Sequence, residues 1–206
     1  DEAACGFTIA DAVLVRDGLT VKQAGTTEYE SAYSVVPVVM TVHRGYAWAD
    51  VVTRGATVRV VATHLESLFD AGQVPTAKEQ ADQLVADLAQ TQLPLVIAGD
   101  FNSDPRDPRA NDDPNLGGQP TAGGACAEQQ GQDPACSAYW TMRAAGYLDA
   151  GPLASDHLTW GYDALLTGPS PARPAGMTDR LDYVFTGNGA TATQATLVGN
   201  TFPAGI

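Results

Sequence analysis

Four apolar or alternating runs in the first third of the chain have the character of β-strands. Ala12–Val15, Val35–Val42, Tyr46–Val52 and Thr57–Thr63 are rich in β-branched residues, which suit a pleated, half-buried surface. Arg54-Gly55-Ala56, between the last two, marks a hairpin turn. From Pro75 to Gln90 the period changes: Ala77, Ala81, Leu84, Val85 and Leu88 fall at helical spacing. Thr76 and Glu79 form a capping box ahead of them. Pro94–Ala98 (PLVIA), closed by Gly99, reads as a buried strand following that helix. Ala138–Ala145 predicts a short helix ended by Gly146, and Leu181–Phe185 and Ala190–Val198 predict further strands. Strand, helix, strand in succession gives layers of both kinds, an α/β class. Between them, residues 104–135 carry Pro, Gly, Asp and Asn in excess, which predicts a long polar loop inside a single domain over 1–206. Asp104, Asp107, Asp112 and Asp113 on that loop read as a solvated acidic stretch, with calcium binding as the alternative.

Three of these strands end on polar residues where an apolar one would fit. Period 2 places Val58, Val60, Ala62 and His64 on one face, with Arg59, Val61, Thr63 and Leu65 on the other. Val96, Ala98, Asp100 and Asn102 likewise share a face, and Phe101 points away. In Arg180–Phe185, Asp182 shares its face with Val184 and Arg180, opposite Leu181, Tyr183 and Phe185. An unpaired buried carboxylate costs several kcal/mol, so such positions need a cation, a hydrogen-bond network or a protonated neighbour. Taken singly, His64 fits a satisfied structural imidazole and Asp100 a turn cap. Taken together they point to one site.

Charge and cysteine content narrow the setting. Eleven Lys and Arg against 24 Asp and Glu give a net charge of −13, which disfavours a protein that coats nucleic acid or anionic membranes. A bound divalent ion outweighs that distant charge locally, so phosphate capture remains open. No apolar run approaches the ~18 residues a membrane-spanning helix needs. Cys126 and Cys136 bracket a polar stretch (AEQQGQDPA) with no core to form. A loop-closing disulfide there is worth about 2–3 kcal/mol and implies a secreted, oxidising setting; two idle thiols are the alternative. Cys5 is left odd, with a partner expected outside this sequence. The start at Asp1, without Met or an apolar leader, reads as a processed or trimmed end.

THLES (63–67), GDFNSDP (99–105) and RLDYVF (180–185), in this order, resemble the endonuclease/exonuclease/phosphatase superfamily, whose fold is that of DNase I. The helix ahead of GDFN and the Gly146–Ala150 and Thr159-Trp160 stretches ahead of RLDYVF extend the likeness over most of the chain. Its secreted bacterial members, sphingomyelinase-like and nuclease-like enzymes, are nearest in character. The resemblance implies a DNase I-like α/β sandwich of two packed β-sheets flanked by helices, incomplete in this chain. It also implies a hydrolase of phosphate esters that works with Mg²⁺, with Mn²⁺ or Ca²⁺ as alternatives, by in-line attack of an activated water. Carried over, Asp100 orients or deprotonates the water and Asn102 holds water and phosphate, both serving the metal. His64 donates a hydrogen bond to a phosphoryl oxygen, and Asp182 steadies a catalytic imidazole from behind. An acceptor near the nucleophile and donors near the equatorial oxygens are what such a transition state requires.

The sequence departs from the family in three places. The Ser-Asp-His expected after RLDY is absent, and Ser155-Asp156-His157 lies before it, which makes it a decoy. The Asn and metal-ligating Glu expected well ahead of THL have no counterpart, since Glu2, Glu28 and Glu30 lack matching surroundings. Either the sequence is an internal piece of a longer enzyme, the preferred reading, or the scaffold has lost its chemistry. On the first reading this span has little phosphodiesterase activity and a longer product is active. Glu66 reads as a partner behind His64 or as an exposed carboxylate, Trp160 and Tyr162 as core rather than cleft, and Arg180 as a partner of Asp182 or of a phosphate. The substrate class is open among nucleic acid, a phospholipid head group and a small phosphoester, and no protein partner is inferred. A non-catalytic secreted binding module on the same fold is the rival.

Overall fold

The computed structural model describes residues 10–36, 40–70, 72–106, 126, 133–151, 158–161 and 179–197. Among them the order is β1 (Thr20–Glu28), β2 (Tyr33–Val36), β3 (Met40–Val42), β4 (Gly45–Thr53), β5 (Ala56–His64), α1 (Thr76–Leu88), β6 (Leu95–Asp100), α2 (Ala138–Ala144), β7 (Leu148–Asp149) and β8 (Asp182–Gly187). Six strands form one sheet in the order β1-β4-β5-β6-β8-β7, and β2 and β3 pair separately. β5 and β6 are parallel and joined through α1, while the other neighbours are antiparallel. This is the α/β class expected.

The β4–β5 hairpin turns on Arg54 and Gly55, with φ of 49° and 82°. Two consecutive residues in the left-handed region match the twist of the flanking strands, and Thr53 pairs directly with Ala56. One face of the sheet carries the core. Val61, Leu65, Leu95, Ile97, Tyr183 and Phe185 are buried there with Ala77, Ala81, Leu84 and Leu88 of α1 and Ala138, Tyr139 and Met142 of α2. The opposite face, with Val58, Val60, Ala62, Val96 and Ala98, is half-buried, and Val184 is exposed.

Several elements differ from the sequence expectation. Residues 10–16 form no strand, and Leu14 stands in solvent. The run Val35–Val42 is split between β2 and β3, which pair with each other. Residues 190–197 form no strand either. Asn188 and Gly189 turn the chain at φ of 50° and 83°, and the Asn188 amide donates to the carbonyls of Thr91 and Leu93. The capping box does not form: Pro75 takes the N-cap with no side-chain acceptor, and Thr76 enters the helix. Glu79 instead accepts from the Ser31 hydroxyl. Asp104 is neither solvated nor available to calcium. It is 1% exposed and accepts hydrogen bonds from Arg106 and from the Arg180 backbone N–H on its two oxygens. Asp107, Asp112 and Asp113 lie outside the described residues.

Cys126 and Cys136 are disulfide-bonded and buried against Phe69 and Val74. Cys5 lies outside the described residues. No helix among the described residues is long and apolar enough to cross a membrane.

Tyr139 links the core to alkaline stability. Burial, and then the Asp149 carboxylate 3.3 Å from its hydroxyl, push its phenol up to about 12. The folded state thus favours the neutral phenol. Its contribution is fully present below about pH 10, the ordinary tyrosine value, and is lost as pH rises towards 12. Phenolate absorbance is expected to show this tyrosine titrating late and together with unfolding. Titration of every tyrosine at the free value, with the fold intact, would contradict it.

Candidate active site

The polar ends of β5, β6 and β8 lie side by side. His64 pairs in register with Asp100, and Asp100 with Asp182. Three separate segments, from positions 64, 100 and 182, thus put an imidazole and two carboxylates in one row across the sheet. His64 Nε2 stands 3.4 Å from Asp100 Oδ2, with the two side chains 35% and 27% exposed. The row is open enough for a ligand and dry enough to strengthen electrostatics.

Local structure fixes each member. The Leu65 N–H donates to the Asp100 carbonyl and the Phe101 N–H to the Leu181 carbonyl, so all three strands are still tied together where they end. Phe101 points into the core, fully buried, edge-on to Tyr183 and Phe185 with ring centroids 5.8 and 5.1 Å away. Asn102 sits at φ 45°, a left-handed conformation that asparagine tolerates better than most residues. Its N–H donates to Asp100 Oδ1 (2.8 Å) and its side-chain amide to the Leu65 carbonyl (2.7 Å). Asp100 is therefore held by its own turn, with Oδ2 towards His64. Thr159 Oγ1 accepts from the N–H groups of Leu181 and Asp182, which sets the start of β8.

The electrostatics are those of an under-neutralised carboxylate site. Burial is the main force pushing the Asp100 carboxyl up to about 6; Asp182 adds to it, while the Asn102 N–H and Arg44 oppose it. Burial and then Arg44 hold the His64 imidazolium below its ordinary value, against Asp11, Glu66 and Asp182. At neutral pH His64 is thus neutral, with one ring N–H to donate. Burial raises Asp11, which His64 and Arg44 pull back.

Arg44, Glu66 and Asp11 complete the surroundings. Glu66 is 2% exposed rather than an exposed hairpin carboxylate, and Arg44 Nε donates to it at 3.1 Å. The Glu66 backbone N–H donates to buried Gln80 of α1. Sequence reading did not single out Arg44 or Asp11. The available signal was a charged His43-Arg44 pair directly ahead of a buried strand. Arg180, by contrast, turns away from Asp182. It donates to Asp149 Oδ1 at 2.7 Å and lies over the Tyr183 ring, because Asp104 holds its backbone just before β8 begins. Trp160 is 38% exposed and so is not a core residue. Tyr162 and Ser155-Asp156-His157 lie outside the described residues.

No group of three or more His, Cys, Asp or Glu stands in a metal-ligating arrangement among the described residues. Mg²⁺, however, is commonly held by one or two carboxylates with water completing its shell. The raised Asp100 carboxyl beside Asp182 is a pair short of positive charge. With the Asn102 side-chain oxygen, this set offers the hard oxygen donors such an ion selects. These are oxygen donors of the kind a hydrated divalent ion takes, short of a complete protein ligand set.

Residues 11–204 match the sequence profile of the Endonuclease/Exonuclease/phosphatase family. No curated protein matches the chain. Similar solved structures include an endonuclease/exonuclease/phosphatase family protein from Bacteroides thetaiotaomicron, at 16% identity and TM-score 0.47, covering 82% of this chain and 51% of that one. A mannosyl-6-phosphatase from the same organism aligns at 15% identity and TM-score 0.45, covering 84% and 54%. D. rerio TDP2 complexed with single strand DNA product aligns at 16% identity and TM-score 0.43, covering 87% and 56%. The chain spans about half the length of these proteins. With its profile matched over nearly the whole sequence and its three motif ends in one row, the chain belongs to the endonuclease/exonuclease/phosphatase family.

Proposed function

We propose that this chain supplies the catalytic floor of a hydrolase of phosphate esters that works with a Mg²⁺-class ion. The observation that carries the reading is the in-register row His64–Asp100–Asp182, with Asp100 under-neutralised at its centre. Asp100 and Asn102 would hold the ion, which supplies positive charge to the phosphoryl oxygens when bound. The Asp100 carboxylate orients the attacking water and accepts its proton. Neutral His64 donates its ring N–H to a phosphoryl oxygen as charge develops there. The Asn102 turn, locked to Leu65, keeps these groups aligned without reorganisation. Asp182 raises the proton affinity of Asp100 from the next strand, a role that does not depend on a neighbouring imidazole.

The buried Cys126–Cys136 disulfide supports secretion into an oxidising compartment. The substrate is a phosphodiester of nucleic acid, a phospholipid head group or a small molecule. The test is a panel of DNA, sphingomyelin and bis(p-nitrophenyl) phosphate, assayed at high protein concentration, because little activity is expected of this span, with Mg²⁺ or Mn²⁺ and again after chelation. Metal-restored cleavage of at least one member is expected, and the member cleaved names the class. Cleavage that chelation leaves untouched would contradict the reading.

A further inference from the structure

Helix α1 buries a polar residue that its apolar packing does not call for. Ala77, Ala81, Leu84 and Leu88 join the core cluster, yet Gln80 between them is fully buried too. A carboxamide is tolerated there only where its donor and acceptor ends are both matched. Gln80 meets that condition on two loops at once. Its Oε1 accepts from the Glu66 N–H at 2.8 Å, and its Nε2 donates to the Ser31 carbonyl at 2.9 Å. An N–H demands the oxygen and a carbonyl demands the nitrogen, so the two contacts fix which end of the carboxamide faces which loop.

The Glu66 N–H belongs to the same peptide unit as the Leu65 carbonyl, and that carbonyl accepts the Asn102 side-chain amide at 2.7 Å. A trans peptide is planar, with its N–H and C=O pointing in opposite directions. One rigid unit is therefore gripped at both edges, by Gln80 on one and by Asn102 on the other. With Nδ2 committed to Leu65, Oδ1 is the end of the Asn102 carboxamide left to meet a ligand. Were the peptide free to rotate, Asn102 would lose the acceptor that holds its nitrogen and could turn an N–H, which repels a cation, towards the row. We propose that Gln80 is a positioning residue of this site: by holding the Leu65–Glu66 peptide from α1, it dictates that Asn102 presents oxygen rather than nitrogen. The inference rests on the phosphoester reading, in which Asn102 serves the ion, and adds to it the helix residue that sets this donor.

The experiment follows backbone and side-chain amide signals by NMR in the unsubstituted chain while Mg²⁺ is added. A cation on Asn102 Oδ1 polarises the carboxamide and strengthens its bond to Leu65, and hydrogen bonds in a chain reinforce one another. The Asn102 carboxamide, the Glu66 N–H and the Gln80 carboxamide are therefore expected to shift along one saturation curve. The Asn188 carboxamide, held by Thr91 and Leu93, is expected to stay in place. Gln80→Met keeps the bulk and removes both contacts. Its Asn102 carboxamide signals are expected to move before any ion is added, and its Mg²⁺ affinity to fall about five- to tenfold, the worth of one hydrogen bond. Mg²⁺ that shifts Asn102 and leaves Glu66 and Gln80 unmoved overturns the inference alone, without any substitution that threatens the fold. So does a folded Gln80→Met with parental Asn102 signals and affinity, since a merely space-filling role would change only its melting temperature. No shift of Asn102 by Mg²⁺ in the parent sinks the phosphoester reading, and the inference with it.

Discussion

Replacing Asp100 by alanine is expected to lower phosphoester turnover by about a thousandfold or more and to leave the fold standing. On the proposed reading two functions are lost at once, the acceptor for the proton of the attacking water and the principal carboxylate donor to the ion. Positioned proton transfer alone is worth about 10²–10⁴-fold. Stability should change little. Burial and Asp182 already make an ionised Asp100 unfavourable, so removing it relieves a cost. Against that relief stands one lost hydrogen bond, from the Asn102 N–H, worth about 1 kcal/mol. Steady-state turnover and thermal unfolding of the substituted and parent proteins of equal length check both halves. Turnover within tenfold of the parent, in a folded protein, would remove Asp100 from the chemistry.

The second large effect belongs to Gly99→Ala. A Cβ at residue 99 would lie 1.9 Å from the Thr63 carbonyl oxygen and 2.9 Å from its carbon. Both are backbone atoms of the neighbouring parallel strand, and neither can rotate away. The substitution must therefore push β5 and β6 apart at the point where His64 faces Asp100. Overpacking of this kind costs about 1–3 kcal/mol and sometimes more. A misplacement of about 1 Å in a catalytic geometry costs about 10²-fold in rate. A melting temperature lowered by several degrees together with a collapse of activity is expected. Activity and stability both unchanged would mean that the two strands do not approach as described.

How far the sequence discloses this site follows from which of its features are periodic. His64, Asp100 and Asp182 were legible because alternation fixes a strand's faces, and a polar residue ending an apolar face stands out. Their meeting across three strands was not periodic information, and it came from the motif order. Arg44–Glu66 was hidden for the opposite reason: two charges 22 positions apart give no local sign that they will be buried together. Asp104 misled because its Pro- and Asp-rich surroundings look solvated, yet Arg106 and the Arg180 backbone enclose it. Residues 190–197 carry strand-like composition, but after the Asn188-Gly189 turn they form no strand among the described residues. Glu79 had the right spacing for a capping box, and Pro75 took the cap position first.

The central claim is that the polar ends of β5, β6 and β8 make one divalent-ion site, and Mn²⁺ binding followed by electron paramagnetic resonance tests it most directly. The parent protein is expected to bind Mn²⁺ saturably, and Asp100→Asn, which keeps shape and removes charge, to bind it at least about tenfold more weakly. Undiminished binding in Asp100→Asn, or none in the parent, would contradict the claim.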